Sequence, residues 1–371
     1  MREGWQISTI GDYCEVISGQ SPEGQFYNSQ GEGLPFYQGK KDFGDIFIKT
    51  PSTWTTHITK VARAGDILMS VRAPVGPVNF ATEEICIGRG LAAIRSKPEI
   101  SKDFLFYQLL HLQPKIAGKE GAVFASINKS EIEDLPLAVA SFPEQQRIVA
   151  LLDEAFAGLA TAKANAERNL QSTRAIFESH LQSVFSQRGE GWEVTTLDKI
   201  STNLDSRRVP ITKNVRSSGE YPYYGASGIV DYVADYIFEG DNLLVSEDGA
   251  NLLARSTPIA FSATGRYWVN NHAHILHFES MATQRFVEFY LESIKLDEFI
   301  TGAAQPKLNQ RALNAIPIPI PEWVEEQARI VNGVEELQEA TQHLTRLYER
   351  KLAALEELKK SLLHQAFNGE L

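Results

Sequence analysis

Three histidines, His272, His274 and His277, fall within Asn270 to Phe278. His272 and His274 are two residues apart and share one face of a strand, a spacing that could bring two imidazoles to one metal ion. No cysteine and no flanking carboxylate cluster accompany them, so packing or base contact is the stronger reading. Glu247 and Asp248 form an acidic pair in a turn-like Ser-Glu-Asp-Gly stretch. A nuclease or glycosidase needs carboxylates that converge in space, which adjacency in sequence does not supply. Gly33 to Lys40 (GLPFYQGK) resembles a phosphate loop, but five residues separate its glycines instead of four, Pro35 lies between them, and Lys41 stands where Ser or Thr would bind magnesium. No Asn-Pro-Pro or Asp-Pro-Pro motif is present to hold a target adenine, and no Gly-x-Gly-x-x-Gly follows a strand. These residues do not assemble a catalytic centre, and the chain reads as a non-enzyme.

The elements that position these residues occur twice. Gly4-Trp5 matches Gly191-Trp192, and Leu34-Pro35-Phe36-Tyr37 matches Tyr221-Pro222-Tyr223-Tyr224. Gly65-Asp66-Ile67-Leu68 matches Gly240-Asp241-Asn242-Leu243, and Ile127-Asn128 matches Leu308-Asn309. Leu135-Pro136-Leu137 matches Ile316-Pro317-Ile318, and Glu144 to Val149 matches Glu326 to Val331. The matches keep one order with slowly drifting offsets, as a duplication with loop changes produces. Each copy opens with a Gly-, Pro- and aromatic-rich part. Its β-like runs include Asp66 to Val71, Ile87 to Ile94, Leu243 to Ser246 and Tyr267 to Phe278. Helical stretches follow at Asp103 to Leu112 and Thr283 to Ser293.

Each copy closes with a long helix. Apolar or small residues recur at Ile148, Leu152, Ala155, Leu159, Ala162, Ala166, Leu170, Thr173, Phe177, Leu181 and Val184. The second stripe is Ile330, Val334, Leu337, Thr341, Leu344, Tyr348, Leu352, Leu355, Leu358 and Leu362. Steps of three and four make a heptad seam. A helix of such length spans roughly 65 Å at 1.5 Å per residue. The expected fold is therefore α+β: two globules, 1–143 and 189–321, with long helices 144–188 and 322–371 pairing as an antiparallel coiled coil under an internal pseudo-two-fold repeat.

Bulk composition bounds the class. The chain has 371 residues, 43 % of them hydrophobic, ample for packed cores. Cys14 and Cys86 are the only cysteines, so no disulfide framework is expected. No segment approaches the roughly 18 apolar residues of a membrane span, and the start lacks a signal-type apolar region. A soluble cytoplasmic protein without membrane contact is expected. The net charge is −11, distributed as −2 over 1–143, zero over 144–188, −5 over 189–321 and −4 over 322–371. Neither globule is basic, so a DNA-binding face must be local and needs help from partner subunits.

Several blocks resemble the specificity subunits of type I restriction-modification systems. They include Ile17 to Gly24 (ISGQSPEG), Leu34 to Phe43 (LPFYQGKKDF), Gly65 to Pro77 (GDILMSVRAPVGP) and Ile87 to Ile94 (IGRGLAAI). In the second copy they are Arg208 to Ile211, Glu220 to Gly228 (EYPYYGASG), Glu247 to Leu252 (EDGANL) and Trp268 to His274 (WVNNHAH). The helix openings at Pro143 to Ile148 and Glu326 to Ile330, and the ending Gln365 to Leu371, are similar too. The resemblance covers essentially the whole chain. It implies two target recognition domains, each reading one half of a split site on double-stranded DNA, with the paired helices setting the gap. It also implies two modification (methyltransferase) subunits as partners, two restriction (translocase/nuclease) subunits that can join them, and no cofactor on this chain. S-adenosylmethionine, ATP and magnesium would belong to the partners.

Base readout needs donors and acceptors that reach base edges. Lys40, Lys41, Arg72 and Arg89 supply donors in the first globule; Arg207, Arg208, Asn270, Asn271 and His272 do so in the second. Tyr37, Tyr223 and Tyr224 could pack on sugars or an unstacked base, and Gly39, Gly225 and Gly228 permit close approach to phosphate. Glu247 or Asp248 could accept from a cytosine amino group. Two other readings remain open at this stage: a stand-alone sequence-specific DNA-binding protein, and a coiled-coil scaffold whose globules bind protein.

Overall fold

The structure is a computed structural model and describes residues 4–117, 126–302, 304–368 and 370–371. The chain packs into two units. One comprises Met1–Ala166 and Arg350–Leu371, the other Glu167–Glu349. The long helices run from Phe142 to Ser186 and from Val324 to Asn368, so each is divided between the units and neither is a domain of its own. Among the described residues no helix is long and apolar enough to cross a membrane.

The first unit has a two-stranded ribbon, Gln6–Thr9 with Pro136–Val139. Its four-stranded antiparallel sheet has the order Cys14–Ser18, Leu91–Ser96, Ile67–Ser70, Val78–Phe80. A five-stranded sheet places Leu34–Tyr37 parallel to Ile85–Ile87. The second unit repeats the plan. Trp192–Thr196 pairs with Pro317–Pro321, and one sheet has the order Thr202–Asn203, Ala273–His277, Asn242–Ser246, Ala260–Ala263. Its other sheet places Ser218–Gly225 parallel to Arg266–Val269.

Alternation along the central strands explains their apolar runs. Ile67 and Met69 face one core with Phe104 and Leu109, while Leu68 faces another with Tyr37 and Ile87. Leu243 and Val245 against Leu244 do the same in the second unit. A strand buried on both faces reads as a continuous hydrophobic run. Two expected runs are each broken by a turn: Ile85–Ile87 and Leu91–Ser96 flank 88–90, and Arg266–Val269 and Ala273–His277 flank 270–272. At each break the chain leaves one sheet and enters the other.

The helices of each copy are stitched to their unit by a repeated buried amide. Gln145 donates to the carbonyls of Glu99 (3.1 Å) and Ala140 (2.9 Å) and accepts from the Ser101 amide (2.8 Å). Gln327 donates to Pro321 O (2.8 Å) and accepts from Thr283 Oγ1 (2.7 Å). The helices pair antiparallel in both units, through Lys163–Glu356 (2.8 Å) in the first and Asn169–Tyr348 (3.2 Å) in the second. The first expected stripe is buried or half-buried throughout. In the second, Leu344 and Leu358 are exposed, and between the expected Thr341 and Tyr348 it is Thr345 that turns inward. A helix of 3.6 residues per turn drifts against a strict 3.5 repeat, which rotates such positions off the seam.

Candidate nucleic-acid interface

Four chain segments meet at the edge where the two sheets of each unit adjoin. In the first unit they follow Leu34–Tyr37, follow Ile67–Ser70, form the turn 88–90, and precede the short helix Lys129–Glu133. Backbone bonds knit them together. Gly88 N donates to Tyr37 O (2.8 Å), Val71 N to Gly90 O (3.0 Å) and Ile127 N to Val71 O (3.0 Å), while Arg72 bridges Ser126. The second unit builds the same knot. Asn270 N donates to Tyr224 O (3.0 Å), Glu247 N to His272 O (2.8 Å) and Leu308 N to Glu247 O (2.8 Å), while Asp248 bridges Lys307. Arg72 therefore stands where Asp248 does, Arg89 where Asn271 does, Gly90 where His272 does, and Ser126 where Lys307 does.

The close packing in the first unit requires glycine. A Cβ at Gly90 would lie 2.3 Å from Gln38 O, and one at Gly88 would press on Phe36, Ser21 and Gln38. Gly39, expected to allow close approach, has open space around it. Lys40, Lys41, Arg72 and Arg89 are exposed around this knot, and no ion pair occupies any of them among the described residues. Arg207 is exposed over the Phe238 ring at 5.2 Å, and Asn271 and His272 are exposed on the second turn.

Other expected contacts lie elsewhere. Tyr223 is 1 % exposed; its hydroxyl donates to Ile211 O (3.3 Å) and accepts from Ile211 N (3.0 Å), and Arg216 covers its ring at 4.2 Å. Tyr37 is buried with its hydroxyl on Lys49 O. Neither ring is presented for stacking: Tyr37 lies in the core between the sheets, and Tyr223 is covered on the other face by Ile211 and Arg216. Tyr224 is half-buried and packs edge-on against Tyr267. Asn270 is buried, and its Oδ1 accepts from His272 N (2.7 Å).

Arg208 is a structural cation. Its Nη1 donates to Glu247 (2.6 Å) and Ala273 O (2.8 Å), and its Nη2 lies 3.4 Å from Asp205. Lys307 adds a bridge to Glu247 at 3.1 Å. Burial raises the proton affinity of the Asp205 and Glu247 carboxyls, but their partners outweigh it. The His274 contact and charge, the Ile275 amide and Arg208 leave Asp205 below its ordinary range; Arg208, Lys307 and His274 do so for Glu247.

The three histidines do not converge. His272 meets Asp248, His277 meets Asn242, and His274 meets Asp205 (2.5 Å) and Leu308 O (2.8 Å). Asp205, Glu247 and His274 do cluster tightly enough for a metal ion. Arg208 and Lys307 already balance the two carboxylates, so a divalent ion there would bury excess positive charge. Lys307 went unnoticed in the sequence; the match of Leu308 to Ile127 placed it one residue from the knot.

The fold defines a class: a duplicated α+β chain in which two long helices join two copies of one loop-bearing globule. A family profile for the type I restriction modification DNA specificity domain matches residues 2–168 and again 189–356. The chain belongs to that family. It is 44 % identical over 150 residues to the type I restriction enzyme MjaX specificity subunit of Methanocaldococcus jannaschii, covering 39 % of this chain and 35 % of that protein. It is 38 % identical over 134 residues to the specificity subunit S.HindORF215P of Haemophilus influenzae, covering 36 % and 34 %. These matches thus span about a third of each relative's length. A chain solved in work on complex assembly and conformational transition of the type I R-M system superposes with TM-score 0.82 at 16 % identity, over 100 % of this chain and 99 % of that one. The HsdS subunit of Thermoanaerobacter tengcongensis gives 0.62 at 16 % identity, over 100 % and 98 %. Both share the fold.

Proposed function

We propose that this chain is the DNA-reading, non-catalytic subunit of a type I restriction-modification complex. Each unit reads one half of a split site on double-stranded DNA through its loop knot. One observation carries the reading: the same backbone knot is built twice, and the two copies display different side chains. Arg72 and Arg89 occupy the positions held by Asp248 and Asn271. Equal scaffolds with unequal polar groups suit two unequal half-sites.

Two modification subunits dock on the chain in this proposal, one for each copy of the repeat, and two restriction subunits can join them. S-adenosylmethionine, ATP and magnesium belong to those partners, and the assembly works in the cytoplasm. The net charge of −11 disfavours a stand-alone DNA-binding protein, because phosphate contact rewards basic surfaces. The test is methylome sequencing of cells carrying this chain with its cognate modification subunit. The expected result is one bipartite adenine-methylated motif that neither protein produces alone. Methyl transfer by the purified chain by itself, or no motif with the pair, overturns the proposal.

A further inference from the structure

His272 is half-exposed, yet both its ring and its backbone have hydrogen-bond partners. Its Nδ1 lies 2.9 and 2.8 Å from the two carboxylate oxygens of Asp248. Its amide donates to Asn270 Oδ1 at 2.7 Å, and its carbonyl accepts from Glu247 N at 2.8 Å. Asn270 is itself buried. Asp248 is held in turn by its backbone bridge to Lys307, and Glu247 by Arg208 and Lys307. A solvent-facing side chain ordinarily gives up rotamer freedom when it binds; the Asp248 contact already favours one rotamer here.

We propose that His272 is the specificity-determining side chain of the second unit and that Asp248 is its positioning residue. The proposal rests on reading the loop knot as a DNA interface. An ionised carboxylate only accepts, so Nδ1 carries a proton and donates it to Asp248. Nε2, which has no hydrogen-bond partner among the described residues, is then the ring nitrogen left to meet a base edge. A neutral ring accepts there from an exocyclic amino group, N6 of adenine or N4 of cytosine, and a protonated ring donates to N7 or O6 of guanine. Asp248, a candidate for the amino-group contact by its type, faces Nδ1 with both oxygens instead. The first unit has no such couple: Arg72 replaces Asp248 and Gly90 replaces His272. The effect is therefore confined to one half-site.

The experiment uses the full chain with its modification subunit and scores methylated sites across a genome for wild type, His272→Ala, His272→Gln, His272→Asn and Asp248→Ala. His272→Ala is expected to relax one base position of the second half-site by about 5-fold or more, the scale of one lost base contact, and to leave the first half-site unchanged. Gln reaches with its amide to where Nε2 sits and retains the preference; Asn reaches only to the place of Nδ1 and loses it. Asp248→Ala relaxes the same position as His272→Ala, with a thermal midpoint close to wild type. If the wild-type motif is bipartite but the second half-site is the same in all variants, the His272 assignment is overturned and the DNA-reading role stands. Equal loss in Gln and Asn overturns it too, and this contrast decides the matter even if the alanine variants unfold. If the wild-type pair gives no motif, the functional reading itself fails.

Discussion

Arg72 and Arg89 stand on neighbouring loops of the first unit, exposed and without a carboxylate partner among the described residues. Either can make a bidentate contact to guanine or clamp a phosphate. Replacing one that reads a base by alanine costs about 1–3 kcal/mol and relaxes a single position; replacing one that holds phosphate weakens all sequences alike. Binding measured against a panel of single-base site variants separates the two. Arg208 belongs to a different category, because its guanidinium neutralises Asp205 and Glu247 inside the second unit. Arg208→Ala leaves only Lys307 and His274 facing those two carboxylates and is expected to cost about 3 kcal/mol in denaturant unfolding. Both carboxyls are held below their ordinary values of 3.8 and 4.5. Their stabilisation is complete above those values and is lost as pH falls through the lower folded-state values. The stability gap between wild type and Arg208→Ala should therefore narrow on acidification below about pH 4. A gap that widens there would contradict the assigned pairing.

At the scale of elements, the repeated Glu-Gln-x-Arg opening of each long helix has two parts with different jobs. Arg147 and Arg329 fold back on Glu144 and Glu326 at the surface, a pair type that contributes little to stability. Gln145 and Gln327 point inward and satisfy backbone groups where the helix leaves its unit. Gln145→Ala strands the Ser101 amide and the Ala140 carbonyl in the interior. It is expected to cost about 2–4 kcal/mol by unsatisfied polar groups and a small cavity. Arg147→Ala should stay within about 1 kcal/mol. Thermal unfolding of the two variants ranks them.

At the scale of the molecule, exchange of residues 1–143 for those of another family member should change one half of the recognised site and leave the other intact, as read by methylome sequencing. The fold adds a condition. Phe104 of the exchanged segment packs edge-on against Phe367, and Ile148, Leu152 and Leu363 line the same core. An exchange that alters this contact without altering Phe367 is expected to lower the thermal midpoint before it changes any base preference. Matched exchange of 1–143 together with 350–371 should recover it.

The duplication, the two long helices and the class of chain were legible in the sequence because each depends on local patterns. Matched words recur in one order, seams step by three and four, and strands alternate. The knot of loops was not legible, because backbone bonds such as Glu247 N to His272 O join segments far apart in the chain. Nor could residue type tell Arg208 from Arg72, or Tyr223 from an exposed tyrosine. Charge and aromaticity are properties of a side chain alone, but whether they meet solvent or a buried partner depends on which strands cross beneath them. The sequence by itself determined what kinds of groups each unit carries and that it carries them twice. Only the tertiary structure decided that Arg208 faces Glu247 and that Asp248 holds His272, since those pairings arise where two sheets adjoin and no local rule connects them.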